Sequence, residues 1–184
     1  MMTSPGFPRL LIPSLSLVLC ACGDPRASIE GGYGMTGSLT LSSGERNQPS
    51  DIEDYLKVAC DASASDALSV FLANLGCDAS AKMDEEHGFT IKKTQCIPFT
   101  STSNGCTYKV TLEAGKGNRP TQAAKLSINF RGSLELHCPK VNPIVYGLAI
   151  TMEGAPLQPG QAVGGGTDSL QATLERAGHL MPED

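Results

Sequence analysis

The sequence predicts an α+β domain: a curved antiparallel sheet of about five strands packed on one or two helices, in the order β-α-α-β-β-β-β. Three observations carry that expectation. The first is the segment 125–138, KLSINFRGSLELHC, in which Leu126, Ile128, Phe130, Leu134, Leu136 and Cys138 alternate with polar residues, as in a half-buried strand. The second is a pair of apolar stripes at helical spacing between residues 50 and 76. The third is the shortness of the connections after residue 100, which favours antiparallel neighbours. A small β-sandwich with peripheral helices is the alternative.

Taken in order, Tyr33, Met35, Leu39 and Leu41 fall on odd positions and predict a strand over 33–42. Ser50 and Glu53 have the spacing of a capping box, and Ile52, Tyr55, Leu56 and Ala59 follow at helical intervals. Leu68, Phe71, Leu72 and Leu75 repeat the stripe, with Gly76 placed as a helix C-cap. Residues 80–88 are polar and read as a loop. A less regular strand runs from Phe89 to Phe99, where Pro98 marks an edge or an end. Residues 101–105 form a turn, Cys106–Ala114 a strand with Cys106, Tyr108, Val110 and Leu112 inward, and Gly115-Lys116-Gly117-Asn118 another turn. Residues 125–138 make one long strand. A hairpin at Arg131-Gly132 would move the apolar set from even to odd positions, and it does not move. Gly132 instead permits a bulge or tight curvature. A last strand carries Ile144, Tyr146, Leu148, Ile150 and Met152, with Val145, Gly147 and Ala149 apolar enough to be covered as well. Residues 154–167, including Gly164-Gly165-Gly166, read as flexible, and 168–176 as a short helix through Leu170 and Leu174.

The start of the chain carries a different signal. Arg9 precedes the apolar run Leu10–Leu19, which is too short to span a membrane and is interrupted by Pro13. Leu19-Cys20-Ala21-Cys22-Gly23 follows. This resembles the lipobox of bacterial lipoproteins, with Leu at −3, a small residue at −1 and then the acylated cysteine. The resemblance covers only the first two dozen residues. It implies cleavage before Cys22, lipidation of Cys22 and a membrane-anchored place in the cell envelope. Gly23, not Asp, follows the cysteine, which points to the outer membrane. An ordinary secretory signal is the alternative. The divisions expected are a signal peptide over 1–21, a tether over 22–32, a globular domain over 33–153 and a C-terminal tail over 154–184.

With Cys22 lipidated, Cys60, Cys77, Cys96, Cys106 and Cys138 remain in an oxidising compartment. Sequence cannot fix the pairs. The first expectation is Cys96–Cys106 across a hairpin and Cys60–Cys77 between helix ends, leaving Cys138 as a buried thiol.

Little points to chemistry. The net charge of −5 and the absence of any basic cluster argue against a nucleic-acid partner, and the lack of Trp against an aromatic stacking platform. His87, His137 and His179 sit in polar contexts and read as surface groups. Asp84-Glu85-Glu86 lacks the spacing of a calcium loop, and Gly115-Lys116-Gly117 that of a phosphate loop. No cysteine or histidine spacing suggests a metal. No cofactor and no enzyme activity are expected. The expected role is a non-enzymatic contact or accessory module for an envelope protein partner. The alternative is a carrier of a lipid or other apolar ligand in a cavity between sheet and helices. The order of elements is similar to that of cystatin-like domains, though no cystatin-type inhibitory loop is present, and architecture alone makes a protease inhibitor a weak third.

Overall fold

The computed structural model describes residues 24–85, 87–158, 172 and 174. Its strands are β1 (Gly31–Ser43), β2 (Arg46–Cys60), β3 (Ala67–Leu72), β4 (Cys77–Glu85), β5 (Gly88–Ile91), β6 (Thr94–Gln95), β7 (Phe99–Thr100), β8 (Thr107–Asn118), β9 (Leu126–His137) and β10 (Ile144–Pro156). All ten join one antiparallel sheet, nine of them in the order β5-β4-β3-β2-β1-β10-β9-β8-β6 and β7 beside β8, and β5 also pairs with β8. That last pairing closes the sheet. The short segments β5, β6 and β7 lie end to end along one edge of β8, opposite Asn118–Gly115, Leu112–Thr111 and Tyr108–Thr107. Counted as one interrupted stave, they make an up-and-down barrel of eight, in which every neighbour in space is a neighbour in sequence except β1 and β10.

The expected α+β architecture is therefore wrong, and the β-sandwich alternative with it. Each misreading has a local cause. In β2 the inward row is Ile52, Asp54, Leu56 and Val58, all buried. A carboxylate in a core slot breaks the alternation, while the outward Tyr55 supplies the false helical stripe. Tyr55 lies against the outside of Gly32, where an added Cβ would come within 2.7 Å of its hydroxyl. The second apparent helix is β3 and a turn. Leu68, Val70 and Leu72 point inward, and Phe71 points out. Gly76 does adopt a positive φ of 57°, but in the β3–β4 turn rather than a helix cap. The polar segment 80–88 is mostly β4, whose inward positions are Cys77, Ala79, Ala81 and Met83. Alanines in a core row leave little apolar signal.

The later strands fare better. β9 runs unbroken through Gly132, and its apolar even positions, Leu126, Ile128, Phe130, Leu134 and Leu136, are buried. A Cβ on Gly132 would stand 2.0 Å from the Thr111 carbonyl oxygen, so the neighbouring strand crosses there without room for a side chain. The register shift lies in β8, between Leu112 and Ala114. Gly115-Lys116-Gly117-Asn118 is not a turn but the end of β8. Gly115 stands opposite Phe130 and Gly117 opposite Phe89, and the rings occupy the space the glycines leave. The last strand is covered on one face only, since Val145 is 61% exposed.

The barrel has two rims. At one lie the 3₁₀ turn Pro25–Ser28, the β2–β3 loop (61–66) and the β8–β9 loop (119–125). Residues 24–30 do not hang free there. Asp24 caps the turn and pairs with Arg26 at 2.7 Å. Arg26 Nη1 donates to the carbonyls of Asp61, Ala64 and Ala67. Ile29 is fully buried. Arg119 sits beneath, donating to the carbonyls of Ser28, Gln122 and Ala124 and to the Tyr33 hydroxyl, with its guanidinium 5.5 Å from the centre of the Tyr33 ring. The opposite rim holds the β1–β2 turn (44–45), the β3–β4 turn (73–76), and loops 101–106 and 138–143. Of the C-terminal tail, Ala172 and Leu174 are helical, and Leu174 is buried in the same core as the barrel interior. Gly164–Gly166, Leu170 and His179 lie outside the described residues.

Candidate functional site: an outer groove and a buried carboxylate

Interior and exterior have opposite chemistry. The inward rows, including Tyr33, Met35, Phe89, Tyr108, Phe130 and Met152, are almost without accessible surface. A ring of outward positions in cross-strand register reads Thr90, Lys116, Asn129, Thr151, Ser38 and Asp51. Barrels that cross membranes with their strands carry an apolar band outside, and this ring is polar, while Phe71 and Val145 stand exposed elsewhere on the wall. No helix among the described residues is long and apolar enough to cross a membrane.

On the outer wall, β4, β5, β8 and β9 frame a groove of about 720 Å³ lined by Asp84, Thr90, Lys116, Asn118, Ser127 and Asn129. Two cross-strand rows build it, Gly88–Asn118–Ser127 and Thr90–Lys116–Asn129. Gly88 faces outward and leaves its place in the first row empty. Thr90 Oγ1 donates to Asp84 Oδ2 at 2.5 Å, which holds the carboxylate at one wall. The Lys116 ammonium is exposed on the other and forms no ion pair among the described residues. The groove thus offers one cation, one carboxylate, two amides and two hydroxyls. It can hydrogen-bond a polar partner, but contains no nucleophile set against a base. Asp84 and Lys116 belong to the two short motifs, acidic and glycine-rich, whose spacing fits neither a calcium loop nor a phosphate loop. Only the β5–β8 pairing, which closes the barrel, brings them together.

Inside, Asp54 is fully buried opposite Met35. Its Oδ1 accepts from the backbone N–H of Tyr55 at 2.7 Å and of Asn74 at 3.0 Å, tying β2 to the β3–β4 turn. Its Oδ2 has no partner among the described residues. Burial pushes the carboxyl up to about 6, against the pull of the two N–H donors.

The other expected site residues are dispersed. His137 Nε2 lies 2.7 Å from Glu135 Oε1 and 3.3 Å from Lys109 Nζ, a polar cluster on the outer wall near the rim opposite Arg119. The His87 carbonyl accepts from the Arg119 N–H. No group of three metal-ligating side chains occurs among the described residues.

Disulfides form, but not in the expected pairs. Cys77 bonds Cys96, joining β4 to the interrupted stave, and Cys106 bonds Cys138, joining the ends of β8 and β9. Cys96–Cys106 and Cys60–Cys77 are thereby excluded, and Cys138 is not a free thiol. The error follows from the helices, since Cys77 begins a strand instead of ending one. Cys60 is also disulfide-bonded, and belongs to neither of these pairs. Cys22 lies outside the described residues.

No protein-family model matches the chain, and neither any curated protein nor any solved structure does.

Proposed function

We propose that this is a lipid-anchored protein of the bacterial envelope, acting by contact through the outer wall of a filled barrel, with the groove between Asp84 and Asn129 at the centre of the contact. The observation that carries the contact role is the occupied interior. An eight-stranded barrel is just wide enough to be filled by side chains or to hold one small ligand. Here the inward side chains that form the core keep at most 8% of their surface accessible, so among the described residues they line no ligand-sized void. The groove is one shaped polar feature of the outer wall, and its Lys116, without an ion pair among the described residues, suits, beside Asn118 and Asn129, a partner presenting a carboxylate or other polar acceptors. Support for the anchor comes from Leu19-Cys20-Ala21-Cys22, and for an oxidising compartment from the disulfides.

Two measurements test the proposal. Intact and peptide mass spectrometry of protein made in a bacterial host should find a diacylglyceryl adduct on an N-terminal Cys22. A peptide bridging Cys22 to Cys60 would overturn the anchor. Photo-crosslinkers at Asn118 and Asn129 should then capture one discrete partner that a crosslinker at Thr40 does not. Equal capture at all three positions, or a lipid that co-purifies and leaves only on denaturation, would overturn the contact role.

A further inference from the structure

We propose that the β1–β2 hairpin is a docking edge, on which the free side of β2 over residues 46–53 takes up an extended, lysine- or arginine-bearing segment of a partner protein as an added strand. The proposal goes beyond the contact role of the groove and rests neither on that groove nor on a lipid anchor. Its basis is that the barrel closes over only part of its height. β2 pairs with β1 from Arg46 to Val58, but with β3 only from Leu56 to Cys60. β3 ends at Leu72, and the chain turns back through 73–76 into β4. Among the described residues, no strand flanks β2 before Tyr55 on that side.

The last contacts of the β2–β3 ladder show which groups the open edge presents. The Tyr55 carbonyl accepts from the Ala73 N–H at 3.0 Å, and the Glu53 carbonyl from the Asn74 side-chain amide at 3.2 Å. The Tyr55 N–H donates to Asp54 Oδ1 at 2.7 Å. Odd positions of β2 thus direct their backbone groups away from β1. Continuing by twos, the N–H groups of Glu53, Asp51 and Asn47 and the carbonyls of Asp51, Pro49 and Asn47 point to the open side. No backbone partner for them occurs among the described residues. Pro49 fits this parity, since its missing N–H would break the ladder on the β1 side and removes no hydrogen bond of the sheet here. The stretch spans roughly 25 Å of strand, room for a partner segment of about six residues.

Side-chain charge selects the occupant. The outward row of β2 runs Pro49, Asp51, Glu53, Tyr55 and Lys57. Its open part carries two carboxylates, without ion pairs among the described residues, and its cation lies where β3 already covers the edge. The hairpin tip adds one charge of each sign, Glu45 and Arg46. A second copy of this chain, pairing edge to edge, would set its own Asp51 and Glu53 beside these and would offer no N–H at Pro49. Like charges facing each other destabilise a ladder. A segment with Lys or Arg at alternate positions instead meets both carboxylates from the directly opposite positions of an antiparallel pair. Ile97, 73% exposed, donates its N–H to the Gly76 carbonyl at 3.3 Å, so an apolar side chain stands at the turn where the added strand would end.

The test uses the isotope-labelled protein exported by a bacterial host, with its disulfides intact. Without peptide, the Asp51 and Glu53 amides should exchange at least about tenfold faster than that of Ile52, which faces β1. The protein is then titrated with the capped hexapeptide Thr-Lys-Val-Lys-Val-Thr and with its counterpart Thr-Glu-Val-Glu-Val-Thr. The lysine peptide should bind about tenfold more tightly, shift the Asp51 and Glu53 amides most, and slow their exchange. Asp51→Asn together with Glu53→Gln should weaken it about tenfold, with the β9 amides unmoved. Equal affinity for the two peptides, no binding of the lysine peptide at millimolar concentration, shifts centred elsewhere, or unchanged affinity in the double variant would overturn the proposal. Slow exchange at Asp51 and Glu53 before any peptide is added would overturn it too, because the edge would already be filled by this chain or by a second copy.

Discussion

Replacing Asp54 by Asn isolates the free energy of a carboxyl held in a barrel core. The carboxyl titrates at about 6 in the folded chain, against an ordinary aspartate value of 3.8 that stands for the unfolded chain. A raised carboxyl binds its proton more tightly when folded, so its stabilising contribution is complete below pH 3.8 and is lost as the pH climbs through 6. The shift of about 2 units corresponds to about 3 kcal/mol at 1.36 kcal/mol per unit. Asparagine keeps an oxygen for the Tyr55 and Asn74 N–H groups and does not titrate. Its amide nitrogen inherits the unpartnered position of Oδ2, at a cost that is the same at every pH. The quantity to read is therefore the change in the wild-type-to-variant difference between pH 3.5 and pH 7.5, which cancels that constant. Urea unfolding with the disulfides intact should show Asp54→Asn gaining about 3 kcal/mol on the wild type over this range, a relative midpoint shift of about 1.5 M at typical slopes. Parallel curves for the two proteins would refute the reasoning, since they would mean that Asp54 keeps its charge solvated at no cost.

Three other perturbations follow from the packing. Gly117→Ala places a Cβ 2.1 Å from the Phe89 ring and should cost about 2–3 kcal/mol. Adding Phe89→Leu should recover part of that loss by thermal unfolding, and a second loss that simply adds would argue against the contact. Arg119→Ala strips donors from three carbonyls and the Tyr33 hydroxyl, and should destabilise by about 3 kcal/mol, with faster amide exchange at Ile29 before any change in β9. Replacing Cys106 and Cys138 together by Ala opens a 32-residue separation and should cost about 3–4 kcal/mol by chain entropy. Non-reducing peptide mapping of the wild type should recover Cys77–Cys96 and Cys106–Cys138 as the linked pairs.

What could be read from sequence depended on how cleanly each strand divided its two faces. β1 and β9 keep their large apolar residues on one parity, and their extents and inward rows were legible; in β10 the even row was legible, but Val145 suggested a second covered face and the strand runs on to Pro156 through residues that read as flexible. β2 was not, because Asp54 occupies a core slot and Tyr55 covers Gly32 from outside, and together they imitate helical spacing. β4 was not, because its core row is largely alanine beside the polar Asp78, Ser80 and Lys82. In β8, Gly115 and Gly117 looked like turn residues because the rings that fill their places arrive from β9 and β5. The groove inherits that blindness. Asp84, Lys116 and Asn129 are far apart in the chain and carry no shared motif, so only barrel closure reveals them as neighbours.

The β1–β10 pairing sets the order in which such a chain can reach its native state. It joins Tyr33 to Pro156, the longest separation of any ladder among the described strands, and neither Cys77–Cys96 nor Cys106–Cys138 crosses it. Hairpins between successive strands can form as each emerges. The final ladder must await the last strand and then meet the loop-closure entropy of the whole domain at once. A chain delivered from its N-terminus would expose both edges of an open sheet until Pro156 arrives, so the interval before closure is when it is most vulnerable to pairing with another copy.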